Sequence, residues 1–290
     1  MKTNSLSRPV SQSLKEYARG VAGGLLFSFP MLYTMEVWWA GFIATPFQLM
    51  VLIVVTYLLL LGYNRYAGMR PDASWRSVFV DSVEEMGLGV ILSFGILLML
   101  NRISLHGMSV EELMSKVIIE AMAISIGVSV GTAQLGVEPD DAEEENGEEQ
   151  DRIRQEQKRG SGKMATAVIA LCGAILVGGN VAPTEEILMI AVEAEPVHIL
   201  SMALVSLVLS TVVVSFSDFR NTSAVLNGNV VFNILYDTCI SYLIALAASA
   251  FSLWFFGRFD GVSFWIVTAQ CITLGVIATL GASAGRLLIK

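Results

Sequence analysis

Eight stretches of this chain are long and apolar enough to cross a lipid bilayer, and no other feature constrains the fold as strongly. A spanning helix needs about 20 mostly apolar residues. Windows meeting that requirement cover residues 21–42, 46–63, 78–100 and 110–135, then 164–192, 197–216, 230–256 and 263–288. Backbone polar groups cannot be left unpaired in hydrocarbon, so these windows are expected to be helices. Composition agrees: apolar residues make up 54% of the chain and charged residues 15%, where a soluble domain carries about 25% charged residues. Such a chain cannot clothe a water-facing surface. The expected fold class is an all-α membrane protein of about eight transmembrane helices.

The net charge of −8 describes one segment rather than the molecule. Ten acidic and four basic residues fall between Glu138 and Arg159, a net of −6, which leaves −2 elsewhere. This run has no aromatic residue and cannot bury enough surface to order itself, so residues 136–162 are expected to be a disordered acidic linker. It separates 21–135 from 163–290, each with four windows, after a polar N-terminal segment at 1–20. That segment has no short apolar run ending in a cleavage site, so no signal peptide is expected to be removed. Cys172, Cys239 and Cys271 lie far apart in apolar runs and read as small buried hydrophobes, not as a disulfide or zinc framework.

Basic residues orient the spans. Lys2, Arg8, Lys15 and Arg19 precede the first window, and Arg65, Arg70 and Arg76 follow the second. Arg152, Arg154, Lys158, Arg159 and Lys163 lie in or beside the linker, Arg220 follows the sixth window, and Arg286 and Lys290 close the chain. The opposite loops at 41–45 and 193–195 carry none, while Arg102 and Arg258 stand singly at helix ends where they can snorkel. Both termini and the linker are therefore expected in the cytoplasm.

The chain also resembles itself. The segment from Gly23 to Glu36 lies over that from Gly173 to Glu186 at an offset of 150, which still holds for Pro46 and Pro196. At 153, Val78-Phe79 lies over Val231-Phe232 and Glu84 over Asp237; at 154, Gly127-Val128-Ser129-Val130-Gly131 lies over Gly281-Ala282-Ser283-Ala284-Gly285. An even number of spans per copy makes the expected repeats parallel, related by an axis along the membrane normal; an odd number would make them inverted. Repeats of this kind often place a pathway at their interface.

Ionisable groups cost at least about 2.5–3.5 kcal/mol each near the bilayer centre, so they persist where they face the bundle interior, water or a partner. Glu36, Glu84, Glu85, Glu120, Glu185, Glu186 and Asp237 all fall inside windows, with no Lys or Arg deep in any span to neutralise them. Depth sorts them into an outer tier, with Glu36, Glu186 and Glu120, and an inner one with Glu84 and Asp237. Hard cations prefer oxygen ligands, and Pro183, with Gly178, Gly179 and Asn180 before it, is expected to break the fifth helix and free backbone oxygens. Each feature also has a plainer reading: protonated hydrogen-bond glue between halves for the acids, and the interfacial start of a helix for Glu84 and Glu85. The Gly-x-Ser-x-Gly segments look like a hydrolase nucleophile elbow, but lie mid-span without a strand and read as helix packing. Trp38, Trp39, Trp254 and Trp265 read as an aromatic belt, and His106 and His198 as interfacial residues.

The segments Tyr33-Thr34-Met35-Glu36-Val37-Trp38-Trp39 and Asn180-Val181-Ala182-Pro183-Thr184-Glu185-Glu186 resemble an uncharacterised family of bacterial integral membrane proteins of about this length. The resemblance covers nearly the whole chain after its polar start. It implies a bacterial inner membrane and brings no function. Pro183-Thr184-Glu185 and Gly228-Asn229-Val230-Val231-Phe232-Asn233 also resemble the Pro-Glu and Gly-Asn segments of cation exchangers. Those lie one helix apart in inverted repeats, whereas here a further span intervenes, so no ion ligand is carried over.

These residues support a transporter or channel for protons or small cations. Glu36 and Glu186 would form the outer site, Glu84 and Asp237 the inner relay, with Glu120, Glu185 and Asn180 along the path. The alternative is a non-transporting sensor, assembly factor or partner subunit acting through the acidic linker. No nucleophile–base pair or metal-ligand set can be assembled, so an enzyme is not expected, nor a cofactor or nucleic-acid partner.

Overall fold

The computed structural model describes residues 10–68, 74–134, 164–221 and 228–287. The acidic linker lies outside the described residues. Within them, every regular element is a helix: α1 (Val10–Leu32), α2 (Met35–Ile43), α3 (Pro46–Tyr66), α4 (Trp75–Met99) and α5 (Val110–Gln134), then α6 (Met164–Gly178), α7 (Glu186–Glu193), α8 (Pro196–Asn221), α9 (Gly228–Phe255) and α10 (Phe264–Leu287). Six of these, α3, α4, α5, α8, α9 and α10, are long and apolar enough to cross a membrane, and α1 with α2 makes a seventh if the bent pair counts as one span.

The windows at 21–42 and 164–192 are therefore not single helices. The first turns by 82° between α1 and α2. Pro30 sits in the last turn of α1 and has no N–H to donate. The chain then tightens, with Tyr33 N–H on the Pro30 carbonyl at 3.3 Å and Thr34 N–H on that of Met31 at 3.0 Å. Thr34 is extended and caps α2; its hydroxyl donates to Pro30 O at 2.7 Å, and the Trp38 indole donates to Leu32 O at 3.1 Å. The last carbonyls of α1 thus find partners outside the helix ladder. The second break, foreshadowed by Gly178, Gly179 and Pro183, runs from Gly179 to Glu185 as a chain of turns, with Ala182 N–H on Gly178 O at 2.8 Å and Thr184 N–H on Val181 O at 3.0 Å.

Other boundaries follow local chemistry. At the start of α3, Thr45 accepts from Gln48 N–H at 3.3 Å while Gln48 Oε1 accepts from Thr45 N–H at 2.8 Å, a reciprocal cap followed by Pro46 in the first helical position. Both α4 and α9 end on a residue at positive φ, Asn101 (55°) and Gly257 (67°). The next amide then reaches back five residues, Arg102 N–H to Leu97 O at 2.8 Å and Arg258 N–H to Leu253 O at 2.9 Å. Only glycine or asparagine enters that region cheaply.

α5 packs against α1, α2, α3 and α4, and α10 against α7, α8 and α9. Glycines set the closest crossings. A Cβ on Gly23 would run into the backbone of Gly131 and Gly127, and one on Gly173 into that of Gly281. The Gly-x-Ser-x-Gly segments are helix-packing surfaces, as their sequence indicates. Between the halves, Leu59, Tyr63, Ile126 and Val130 form a buried cluster with Ile169, Cys172 and Leu176. Leu59 lies level with Cys172 and Gly62 with Val168, so α6 runs against α3. Phe255, at the end of α9, packs on Met31, Val37 and Ile119, at the end of the bundle that carries α2. We call that end the upper one. Of the three cysteines, Cys172 is buried and Cys239 is exposed, so the buried-hydrophobe reading does not hold for Cys239.

Candidate functional site

The acids expected to form two tiers do not converge. Glu36 stands half-buried in the first turn of α2, while Glu186, in the first turn of α7, and Glu185, its N-cap, are both exposed. Glu84 is exposed on α4 and Asp237 is half-buried on α9. Adjacent helix positions point about 100° apart, so only one of Glu84 and Glu85 can face the bundle. It is Glu85 that does so.

The Asn64 amide, near the lower end of α3, donates to Glu85 Oε2 at 2.7 Å and to Ser82 Oγ at 3.0 Å. Its carbonyl oxygen accepts from Ser129 of α5 at 2.9 Å, and Ser82 passes its own proton to Val78 O at 2.8 Å. Three helices are thereby tied through one buried amide.

Glu120 is different. It is 1% exposed, and neither carboxyl oxygen has a hydrogen-bond partner among the described residues. It lies one turn before Ile124, which packs with Leu32, Leu92 and Ile96. Gly24 of α1 rests on Ile124 and Val128, so the same register brings Ser28, one turn higher, towards the turn of Glu120. The Ser28 hydroxyl is likewise buried and unpartnered. A carboxylate in these surroundings is costly.

One turn above Glu120 stands a residue that the sequence reading overlooked. Lys116 lies inside α5 and is buried, so the statement that no Lys or Arg lies deep in a span is corrected. Its Nζ donates to Glu112 Oε1 at 2.6 Å and to the Arg102 carbonyl at 3.4 Å, and lies 4.2 Å from the Phe42 ring centre. Its stem fills the space beside Gly41. The apolar average of the window hid it; the spacing Glu112, Lys116, Glu120, one turn apart each time, was the available signal.

The second break meets the first at Asn180. Its Oδ1 accepts from Met31 N–H at 3.2 Å, and its Nδ2 donates to Phe27 O at 3.0 Å and to Leu176 O at 2.5 Å. Phe27 O and Met31 N–H are an i, i+4 pair of α1. The Asn180 amide bonds to both of them from the side, a wedge between α1 and the second break. Beside this wedge is a cavity of about 50 Å³ bordered by Met31, Thr56, Ile119, Asn180, Ser252 and Phe255. Arg258, from the turn after α9, donates to the Pro183 carbonyl in the second break, and its own carbonyl accepts from Gln270 at 3.1 Å. In the first half, Arg102 stacks 4.1 Å from the centre of the Trp38 ring. Among the described residues no group of three or more His, Cys, Asp or Glu is placed to hold a metal.

A helical bundle with apolar spans, a buried carboxyl and helices broken within their windows is a polytopic integral membrane protein. Residues 16–289 match the family described as "Putative integral membrane protein (DUF2391)", and the chain belongs to that family. No curated protein and no solved structure matches it.

Proposed function

We propose that this protein moves protons across a bacterial inner membrane, as a channel or a proton-coupled transporter, through the first half of its bundle. The observation that carries the reading is Glu120, buried with neither oxygen partnered among the described residues. A lone carboxyl offers one ligand group where a hard cation takes about six to eight oxygens, so the proton is the ion that suits it. Glu85 lies below it in the Asn64 network. Ser129 of that network follows Glu120 by nine residues on α5, a drop of about 13 Å at 1.5 Å per residue. Between the two levels lie the Ser125 hydroxyl and the close contact of Gly89 with Ser125. The basic-residue pattern puts both termini in the cytoplasm, the upper end outside, and Glu120 in the outer half.

We read the chain as eight spans, two of them broken, in two parallel repeats. The order of a broken helix pair and three long helices occurs twice. The glycine crossing pairs Gly23 with Gly127 and Gly131 in one half and Gly173 with Gly281 and Gly285 in the other. Lys116 on the Arg102 carbonyl has its counterpart in Gln270, at an offset of 154, on the carbonyl of Arg258, which ends the matching helix.

The test is proton flux into proteoliposomes loaded with a pH-sensitive dye. The parent protein should collapse an imposed pH gradient, and Glu120→Gln should slow it at least tenfold. A parent that leaves the gradient standing, or a Glu120→Gln variant that matches the parent, refutes the proposal.

A further inference from the structure

We propose that Lys116 is the mobile counter-charge of the Glu120 site, its ammonium turning between Glu112 when Glu120 is protonated and Glu120 when the proton has left. The inference rests on the proton-carrying reading and names the residue that would gate it.

The geometry places Lys116 one helical turn from each acid, Glu112 above and Glu120 below, and residues four apart on a helix face one another across about 5–6 Å between Cβ atoms. The structure captures the upper arrangement: a 2.6 Å contact with Glu112 and an orphaned carboxyl at Glu120. An unpaired buried charge is far more costly than a paired one, so Glu120 can release its proton only if a cation comes to it. From the elements packed on α5, the charged groups at this level are Arg102 beyond α4, held over Trp38, and Glu36 on α2. The upper parts of α1, α3 and α4 bring none. Lys116 is the cation in reach.

The step balances. The O–H bond of Glu120 breaks and its proton passes to water on the open side. The ammonium then leaves Glu112, whose half-buried carboxylate is solvated, and pairs with the new carboxylate. The three side chains together pass from neutral to a charge of −1, and the uncompensated charge is left on the half-buried Glu112, while the buried Glu120 keeps a partner.

The motion also has a mechanical consequence. In its upper position the ammonium joins α5 to the Arg102 carbonyl at the end of α4 and lies against Phe42 of α2. Turning down releases α2 and the α4 end together, which opens the upper end while Glu120 is charged.

The second half supplies the control substitutions. At an offset of 154, Glu112, Lys116 and Glu120 correspond to Ile266, Gln270 and Leu274, and Gln270 keeps the bond to the Arg258 carbonyl. Lys116→Gln therefore removes the charge with a side chain this architecture already accepts. Flux in proteoliposomes and the protonated-carboxyl infrared band of the purified protein are measured for the parent, Lys116→Gln, Lys116→Arg and Glu120→Gln. We expect a band that Glu120→Gln removes and that parent protein loses on alkaline titration. In Lys116→Gln that band should persist over the same range while flux falls at least tenfold, and Lys116→Arg should restore both. If Lys116→Gln carries parental flux while Glu120→Gln does not, the inference fails and the proton reading stands. If Glu120→Gln itself carries parental flux, the proton reading fails. If Lys116→Gln loses flux but titrates its band like the parent, Lys116 is a packing residue and the inference is overturned.

Discussion

The amide of Asn180 offers the sharpest test of how the two halves are joined. Two of its hydrogen bonds cross between halves, to Met31 N–H at 3.2 Å and to Phe27 O at 3.0 Å. A net hydrogen bond contributes about 0.5–1.5 kcal/mol, and interhelical ones in a membrane protein average about 0.6 kcal/mol. Asn180→Ala therefore forfeits at most about 1–3 kcal/mol. Part is recovered, because Met31 N–H and Phe27 O are four residues apart and can close on one another. We expect a net loss near 1 kcal/mol, as the recovered bond offsets about half of the forfeited energy. Asn180→Asp is nearly the same size but turns an oxygen towards the carbonyls of Phe27 and Leu176, both of which accept from Nδ2. It cannot be relieved by closing α1, and should lose about 2–4 kcal/mol. Unfolding in mixed micelles, followed by tryptophan fluorescence, ranks the variants, and hydrogen exchange at Met31 reports its amide directly. In Asn180→Ala that amide should stay protected, having passed to Phe27. Equal stability of the Asp and Ala variants would refute the wedge, as would full exchange at Met31 in Asn180→Ala.

Of three further outcomes, two use the same unfolding measurement and the third uses cysteine labelling. A Cβ on Gly95 or Gly87 would meet nothing within 4 Å, so Gly95→Ala and Gly87→Ala should stabilise the protein by about 0.5–1 kcal/mol each, whereas Gly131→Ala, pressed into the Gly23 backbone, should cost about 1–3 kcal/mol. Asn64→Ala leaves Glu85 without its amide donor and should cost about 2–3 kcal/mol, more than Ser129→Ala, which removes a single donor. Arg258→Met frees the Pro183 carbonyl and should raise cysteine labelling at an introduced Thr184→Cys several-fold over the same change in an otherwise unaltered chain, while Arg258→Lys should fall between.

Span positions were legible because bilayer thickness fixes the length of an apolar run whatever its neighbours. Five windows match helices within a few residues at each end: α3, α4, α5, α9 and α10. Breaks were legible only where the chain itself carries the cause. Gly178, Gly179 and Pro183 announced the second. The first depends on Pro30 together with Asn180, a residue 150 positions away, and no local pattern contains that contact. The site was harder to read for a related reason. Averaging over a window counts acids but does not say which way they point, so Glu84 was favoured over Glu85 and Lys116 vanished into the apolar mean of α5. Helical phase relative to known packing glycines would have separated them, since Gly127 and Gly131 mark the face of α5 that meets α1.

On the two-repeat reading, the departures from symmetry matter more than the symmetry. Each half must bury itself against lipid, so parts that serve folding are needed twice: the glycine crossings, the positive-φ caps at Asn101 and Gly257, and the side-chain donors on the Arg102 and Arg258 carbonyls. A part that serves a single pathway is needed once. Glu112, Lys116 and Glu120 face Ile266, Gln270 and Leu274 in this comparison, and the buried amide network is built around Glu85 where the second half has Thr238. The wedge is equally one-sided, because the position matching Asn180 is Pro30, which has no side-chain amide to return. The first half thus holds the ionisable groups of the proposed path, and the second half supplies the amide that bonds α1 beside them. Phe27 and Met31, the two residues of α1 that Asn180 bonds, stand on either side of Ser28, so the second half holds the turn beside a site to which it contributes no charge.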